Sequence, residues 1–77
     1  MTEGSLVQRV LVQSDSIRSV GYDPQNSTLE VEFRERGTYR YYLVPRDVYD
    51  QLIKAPSAGR FVSERIVSGH FPFEEVT

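Results

Sequence analysis

The chain has 77 residues, no cysteine and a formal net charge of −2. This length allows one domain with one small core. The missing cysteine excludes a disulfide framework, a thiolate metal site and a cysteine nucleophile. No apolar run reaches the roughly 18 residues of a membrane span and no leader pattern is visible, so we expect a soluble, cytoplasmic protein.

The first segment with a structural preference is residues 6–12, whose apolar residues fit two patterns. Their spacing is compatible with one face of a helix, while the alternation of Val10 and Val12 is compatible with a strand. Because branched side chains favour extended backbone, we interpret the segment as a short strand. The polar residues 13–16 end it.

Residues 17–23 predict a second strand with Val20 and Tyr22 on its buried face. Gly21 between them predicts a bulge or a close backbone approach. The Asp-Pro-Gln-Asn sequence at residues 23–26 predicts a turn, because Asp accepts local backbone hydrogen bonds and Pro presets the first central dihedral angle. The next strand therefore runs antiparallel to this one.

A β-hairpin is predicted at the centre of the chain. Residues 28–33 alternate between apolar and polar side chains, and residues 39–44 are rich in aromatic and branched ones. The intervening residues 35–37 end in Gly, which suits a type I turn closed by a bulge. Both strands then present one apolar face.

The predicted register pairs Arg34 with Thr38 and places Glu32 opposite Arg40 as an exposed ion pair. A slip by one residue would bury the glutamates, which fixes the faces of the strands. The predicted apolar pairs are Phe33–Tyr39, Val31–Tyr41 and Leu29–Leu43 in the hairpin, and Tyr22–Leu29 and Val20–Val31 across the preceding turn, where Asp23 pairs with Thr28.

Two helices are predicted to cover the apolar face. The first begins near Pro45 and stops before Pro56, and its inward residues are Val48, Tyr49, Leu52 and Ile53. Ser57 is predicted to cap a second helix that ends near Val67, with Gly69 as terminator and with Phe61, Val62 and Ile66 inward. Residues 70–73 are predicted to lie extended at the edge of the core.

These elements predict an α+β fold: a three- to four-stranded antiparallel β-meander packed on one face by two C-terminal α-helices. We find no repeat or linker in the sequence. We therefore expect a single domain over residues 1–77, with its core at about residues 10–73.

No residue pattern indicates catalysis or metal binding. His70 is the only histidine and lacks neighbours with ligand spacing. The serines lack a nucleophile elbow, and Gly59 stands alone rather than in a phosphate-binding loop. Glu74 and Glu75 are more simply explained as solubilising residues of an exposed tail. We expect no enzymatic activity, no metal and no cofactor.

The arginines are the main candidates for binding. Residues 34–65 carry seven basic and four acidic residues, a balance of +3. The alternation sends Arg40 and Tyr42 to the outer face, where they could stack a nucleobase, although Glu30 and Glu32 share that face and repel phosphate. The candidate nucleic-acid-binding residues are Arg34, Arg40, Tyr42 and Arg60. An ordinary solvated surface remains the alternative.

Several short motifs stand in a characteristic order: VGYD at residues 20–23, TLEVEF at 28–33, YRYYLVP at 39–45, VY at 48–49 and SAGRFV at 57–62. Together they resemble the KTSC domain, a family of small domains found at the C-terminus of some lysyl-tRNA synthetases and as stand-alone bacterial proteins. The resemblance identifies Tyr39, Tyr41 and Gly59 as family-motif residues. The chain departs from the family pattern at Phe61, Val62 and Ser63, where Tyr, Phe and Asn are usual.

The synthetase context implies an auxiliary RNA-binding module with tRNA as the candidate partner. The alternative is a module for protein interaction or self-association that uses a sheet edge or the aromatic tail at residues 71–73. We expect RNA binding to weaken steeply with salt and apolar docking to respond little.

Overall fold

The computed structural model of the protein describes residues 9–76. The elements are β1 Arg9–Leu11, β2 Ile17–Asp23, β3 Thr28–Phe33, β4 Gly37–Tyr41, α1 Arg46–Lys54, α2 Ala58–Phe61, a π-helical turn Val62–Val67 and β5 Phe73–Glu75. The strand predicted over residues 6–12 is confirmed at β1, and its first three residues lie outside the described part of the chain.

The strands form one antiparallel sheet in the order β1-β2-β3-β4-β5. The α+β class and the antiparallel meander with two C-terminal helices are therefore confirmed, but residues 9–76 form a sheet of five strands rather than three or four. The strand that the prediction missed is β5, Phe73–Glu75, which pairs with β4. Its three residues follow a proline and are too few to show periodicity.

The register between β2 and β3 is the predicted one, with Asp23 opposite Thr28 and Val20 opposite Val31. The register between β3 and β4 differs from the prediction by two residues. Gly37 pairs with Phe33 and takes the left-handed conformation, with a φ of 85°. The turn consequently begins at Arg34, and every residue of β4 meets a partner two positions earlier in β3.

The shift by two residues keeps each side chain on its predicted face but changes its partner. Arg40 lies opposite Glu30 rather than Glu32, and Tyr41 lies opposite Leu29 rather than Val31. The predicted Glu32–Arg40 pair is therefore wrong.

Two local predictions are also corrected. The irregularity in β2 lies between Ile17 and Ser19, so of the two alternatives predicted for Gly21 the bulge is wrong. Leu43 does not enter the core: it has a positive φ of 63° and is 69% exposed. Val44 is buried instead, and its backbone N–H donates to the Ser27 carbonyl at 2.8 Å.

Both helices begin where the sequence predicts. The side chain of Ser57 accepts a hydrogen bond from the Arg60 backbone N–H and caps α2. After one turn of α-helix the chain widens into the π-helical turn, which the sequence did not indicate. In α1, Leu52 is buried as predicted, whereas Ile53 is 46% exposed.

The core lies between the helices and one face of the sheet. Its buried members are Ile17, Val20, Leu29, Val31, Tyr41, Val44, Leu52, Ala58, Val62 and Ile66. Because the side chains of a strand alternate, the residues between these core positions form the opposite face of the sheet. We call this opposite face the polar face.

Candidate functional site

One row of paired residues crosses all five strands of the polar face. It runs from Arg9 in β1 through Gly21, Glu30 and Arg40 to Glu74 in β5. Gly21 contributes no side chain, so the Arg9 side chain passes over β2 to reach Glu30 in β3. Gly21, for which the sequence predicted either a bulge or a close backbone approach, thus lies under the ion pair between Arg9 and Glu30.

Glu30 is the centre of this row. Its side chain is 5% exposed and forms ion pairs with an arginine on each side. Arg9 donates from Nη2 and Nε to Oε1 at 2.7 and 3.2 Å. Arg40 donates from Nη2 and Nε to Oε2 at 2.9 and 3.1 Å. The carboxylate is thereby held by two charge-assisted, two-pronged contacts.

The rest of the polar face continues this pairing. Glu32 accepts a hydrogen bond from the Ser19 hydroxyl at 2.9 Å and lies 3.7 Å from Arg9 and 3.8 Å from Arg18. Glu74 lies 3.8 Å from Arg40. Each arginine of this face therefore has at least one carboxylate partner.

Arg40 and Tyr42, two of the predicted nucleic-acid-binding residues, are engaged in this network. The hydrogen bond to Glu30 raises the pKa of Arg40, and Tyr42 adds to that effect. The Tyr42 hydroxyl donates to Glu74 at 2.9 Å. A phosphate or a base on this face would have to displace these internal contacts.

Arg34 and Arg60, the other two predicted residues, lie at a different place. They line an open cleft between the β1–β2 loop, the β3–β4 turn and the start of α2. This cleft has two adjoining parts of about 500 and 630 Å³, which share Asp15, Ser16 and Gly59. We call it the serine cleft, after Ser14, Ser16, Ser57 and Ser63 in its walls.

Close packing around Gly59 shapes the serine cleft. A Cβ at Gly59 would lie 2.6 Å from the Ser16 Oγ and 3.1 Å from the Ser14 Oγ. The missing side chain therefore lets α2 approach the β1–β2 loop. Ser14 in turn accepts hydrogen bonds from the backbone N–H groups of Ser16 and Ile17, each at 3.2 Å. Gly59, a family-motif residue, thus has a steric role in the cleft.

The charges in the serine cleft differ from those of the polar face. Arg34 donates from Nε to the Ser14 carbonyl at 2.9 Å but has no carboxylate partner among residues 9–76. Within the same range Arg36, Asp15 and Glu35 form no ion pair either, and all three line the cleft. Arg60 pairs with Glu64 at 3.0 Å.

The remaining family-motif residues, Tyr39 and Tyr41, belong to an aromatic cluster on the core side of β4. Tyr39 packs edge-on against Phe33 at 5.6 Å, and both tyrosines lie near Phe73 at 5.7–6.0 Å. Burial raises the pKa of the Tyr41 hydroxyl, its neighbour Tyr39 adds to this, and Arg36 opposes it. The cluster supports Phe33, which lines the cleft.

Arg36, Asp15 and Glu35 line the cleft but were not predicted as site residues. Arg36 and Glu35 were assigned to a turn, and Asp15 to a polar break. Their common signal is that each lies at the same end of the meander, since the β1–β2 loop and the β3–β4 turn share one end of an antiparallel sheet.

Other predicted features are readily placed. His70 is exposed and has a positive φ of 64°. In the described part of the chain no three His, Asp or Glu side chains converge to hold a metal ion. Across the same residues no helix is long and apolar enough to span a membrane.

Comparisons with known proteins agree with this fold and these motifs. The family model of the KTSC domain matches residues 13–71. The crystal structure of a KTSC domain protein from Yersinia pestis superposes with a TM-score of 0.86 at 41% identity, over 92% of this chain and 99% of that one.

Two kinds of relative have similar sequences. An uncharacterized protein of Stutzerimonas stutzeri is 42% identical over 87% of this chain and 94% of its own length. A lysine–tRNA ligase of Nostoc sp. is 33% identical over 79% of this chain, which corresponds to 11% of the ligase. With the family model covering most of its length, the chain belongs to the KTSC domain family.

Proposed function

We propose that this domain is a non-enzymatic RNA-binding module that contacts RNA at the serine cleft rather than on the polar face. The observation that carries the proposal is the difference in arginine pairing. Arg34 and Arg36 have no carboxylate partner among residues 9–76, whereas Arg9 and Arg40 are bound to the buried Glu30. A guanidinium without an internal partner binds a phosphate without first breaking an ion pair.

The relatives support RNA as the ligand class. A similar domain accounts for 11% of the length of lysine–tRNA ligases from Nostoc sp. and Nostoc punctiforme. The net charge of −2 means that any attraction to phosphate must be local. Arg34 and Arg36 lie in one turn and give the cleft such a local site.

The test is an electrophoretic mobility assay with bulk tRNA at low and high salt. Replacing both turn arginines (Arg34→Ala with Arg36→Ala) should lower the affinity about ten-fold at low salt, equivalent to about 1.4 kcal/mol. It should also reduce the slope of log K against log salt by about 0.7–0.9 for each phosphate that is no longer neutralised. The double variant Arg18→Ala with Arg46→Ala is the matched control, since it removes the same charge elsewhere.

Arg46 is a suitable control position because α1 starts at the far end of the sheet. The Val44 N–H binds the Ser27 carbonyl, which places the start of α1 beside the β2–β3 turn. Arg18 lies on the polar face, 54% exposed. Equal loss of tRNA binding in the control and in the cleft variant would contradict a site at the cleft.

Protein docking at β5 is a second candidate function, favoured by the exposed edge of the sheet. The Tyr42 N–H binds the Pro72 carbonyl and the Val76 N–H binds the Thr38 carbonyl. Every second residue of the segment around β5 thus hydrogen-bonds to β4. The backbone N–H and C=O groups of Phe73 and Glu75, which lie between these residues, therefore point away from β4. The Phe73 side chain is 61% exposed beside them.

Such an edge can accept another extended chain, including a second copy of this one. Sedimentation of the wild type and of Phe73→Ser at several concentrations tests self-association. Docking through Phe73 should be lost in the variant and should change little with salt. A monomer at all concentrations, with no salt-insensitive partner in a pull-down, would argue against this candidate.

A further inference from the structure

The first part of the serine cleft has the size and the lining of a small-ligand site. Its volume of about 500 Å³ falls in the range of roughly 300–1,000 Å³ that is usual for such sites. Phe33 and Val67 provide apolar surface, while Ser16, Ser63 and Arg36 provide hydrogen-bond donors. The lining therefore suits a ligand with an apolar face and polar substituents.

Phe33 is held in a fixed position. Its ring packs against Tyr39 with the centroids 5.6 Å apart and the planes at 83°. The Phe33 side chain is only partly buried, so part of the ring remains available in the cleft. A nucleobase stacks on such a ring without sequence preference, because every base has a π-face.

The charges of the lining have mixed sign. Arg36 suits a phosphate, and Arg34 extends the same basic turn into the adjoining part of the cleft. The Nε of Arg34 is bonded to the Ser14 carbonyl, and among residues 9–76 its two Nη groups have no partner, so they can bind a phosphate. Asp15 and Glu35 would repel a bare anion but accept hydrogen bonds from hydroxyl groups.

These groups together fit one ribonucleotide. Free phosphate would be repelled by the carboxylates of Asp15 and Glu35 without forming other contacts. An uncharged sugar would offer no anion to Arg34 and Arg36. A ribonucleotide offers an anion, a π-face and two ribose hydroxyls at once. The 2′-hydroxyl is the group by which proteins distinguish RNA from DNA.

We propose that the serine cleft binds a single ribonucleotide unit. This inference rests on the proposed RNA-binding function. The base lies against Phe33, the phosphate is bound by Arg34 and Arg36, and the ribose hydroxyls donate to Asp15 and Glu35. The unit is either a free nucleotide or the 3′-terminal residue of an RNA strand, both of which present two free ribose hydroxyls. The carboxylates make the cleft selective for ribose over deoxyribose.

The experiment is an NMR titration of the ¹⁵N-labelled chain with adenosine 5′-monophosphate, its 2′-deoxy analogue and inorganic phosphate. The ribonucleotide should shift the amides of Asp15, Ser16, Phe33, Gly59 and Ser63 in a saturable manner. The deoxynucleotide should bind at least about ten-fold more weakly, as expected for the loss of one hydrogen bond to a charged acceptor. Phosphate should bind more weakly than either nucleotide.

A 5′-phosphorylated adenosine trinucleotide, in ribose and deoxyribose forms, distinguishes a free nucleotide from an RNA strand as the ligand. Tighter binding of the trinucleotide than of the mononucleotide indicates a strand.

The double variant Asp15→Ala with Glu35→Ala should abolish the preference for ribose while still binding nucleotide. Its matched control is Asp47→Ala with Glu75→Ala, which removes two exposed carboxylates elsewhere and should keep the preference. Equal binding of ribose and deoxyribose forms by the wild type would overturn the proposal, as would shifts confined to the polar face. If the ribonucleotide proposal fails in this way but tRNA binding still depends on Arg34 and Arg36, the proposed RNA-binding function survives. If neither tRNA nor nucleotides bind, the proposed function and the ribonucleotide proposal both fail.

Discussion

The polar face and the serine cleft carry similar residues but arrange their charges in opposite ways. On the polar face Arg9 and Arg40 converge on the buried Glu30. In the cleft Arg36 and Glu35 are both exposed and form no ion pair with residues 9–76. An arginine in a sequence is therefore a candidate ligand-binding residue only once its internal partners are known.

The largest expected effect comes from breaking the polar face at its centre. Glu30→Ala should lower the free energy of unfolding by about 3–5 kcal/mol, because it leaves two arginines facing each other at the site of a buried carboxylate. Chemical denaturation measures this loss. Glu32→Ala is the control, since Glu32 is 34% exposed and its ion pairs should contribute at most about 1 kcal/mol. Equal losses in both variants would mean that Glu30 has no special role.

A smaller loss is expected for Arg40→Ala, at about 1–3 kcal/mol, because Glu30 keeps the two hydrogen bonds from Arg9. The sequence alone suggested an exposed pair worth at most about 1 kcal/mol. The matched variant is Arg18→Ala, whose ion pair within residues 9–76 is a 3.8 Å approach to Glu32. Thermal or urea denaturation measures both losses of unfolding free energy. A larger loss in Arg18→Ala than in Arg40→Ala would contradict the structural role of the row of paired residues on the polar face.

The larger loss now expected for Arg40→Ala shows which structural features the sequence could determine. Alternation determined which face each residue of β3 and β4 occupies, because the side-chain period of a strand is two. It could not determine the partner of Arg40, since a register shift by two residues preserves every face. The deciding feature is the left-handed Gly37, which starts the strand one residue earlier than the turn pattern suggested.

Other features had no local signal at all. Leu43 is apolar and follows a strand, yet its positive φ turns it out of the core. The three residues of β5 become a strand only because β4 offers an unpaired edge. The serine cleft combines three segments that are distant in sequence: the predicted meander places Asp15 and Arg36 at one end of the sheet, but nothing local indicates that they line one cleft.

The β2–β3 turn provides a smaller, pH-dependent effect outside both regions. The hydrogen bond from Asn26 lowers the pKa of Asp23 below its ordinary value. Asp23 should therefore stabilise the fold at pH values above its ordinary pKa of about 3.9, and this contribution should be lost as the pH falls through the lowered value. The difference in melting temperature between wild type and Asp23→Ala should shrink from pH 7 to pH 2. A constant difference would contradict the ionic contribution.

The smallest expected change in stability belongs to the cleft, where Arg34→Ala with Arg36→Ala should alter the free energy of unfolding by less than about 1 kcal/mol. Measuring tRNA affinity and unfolding free energy together for this variant tests the central contrast most directly. We expect an approximately ten-fold loss of affinity with an almost unchanged free energy of unfolding. Unchanged affinity, or a loss of affinity that only follows a loss of stability, would contradict it.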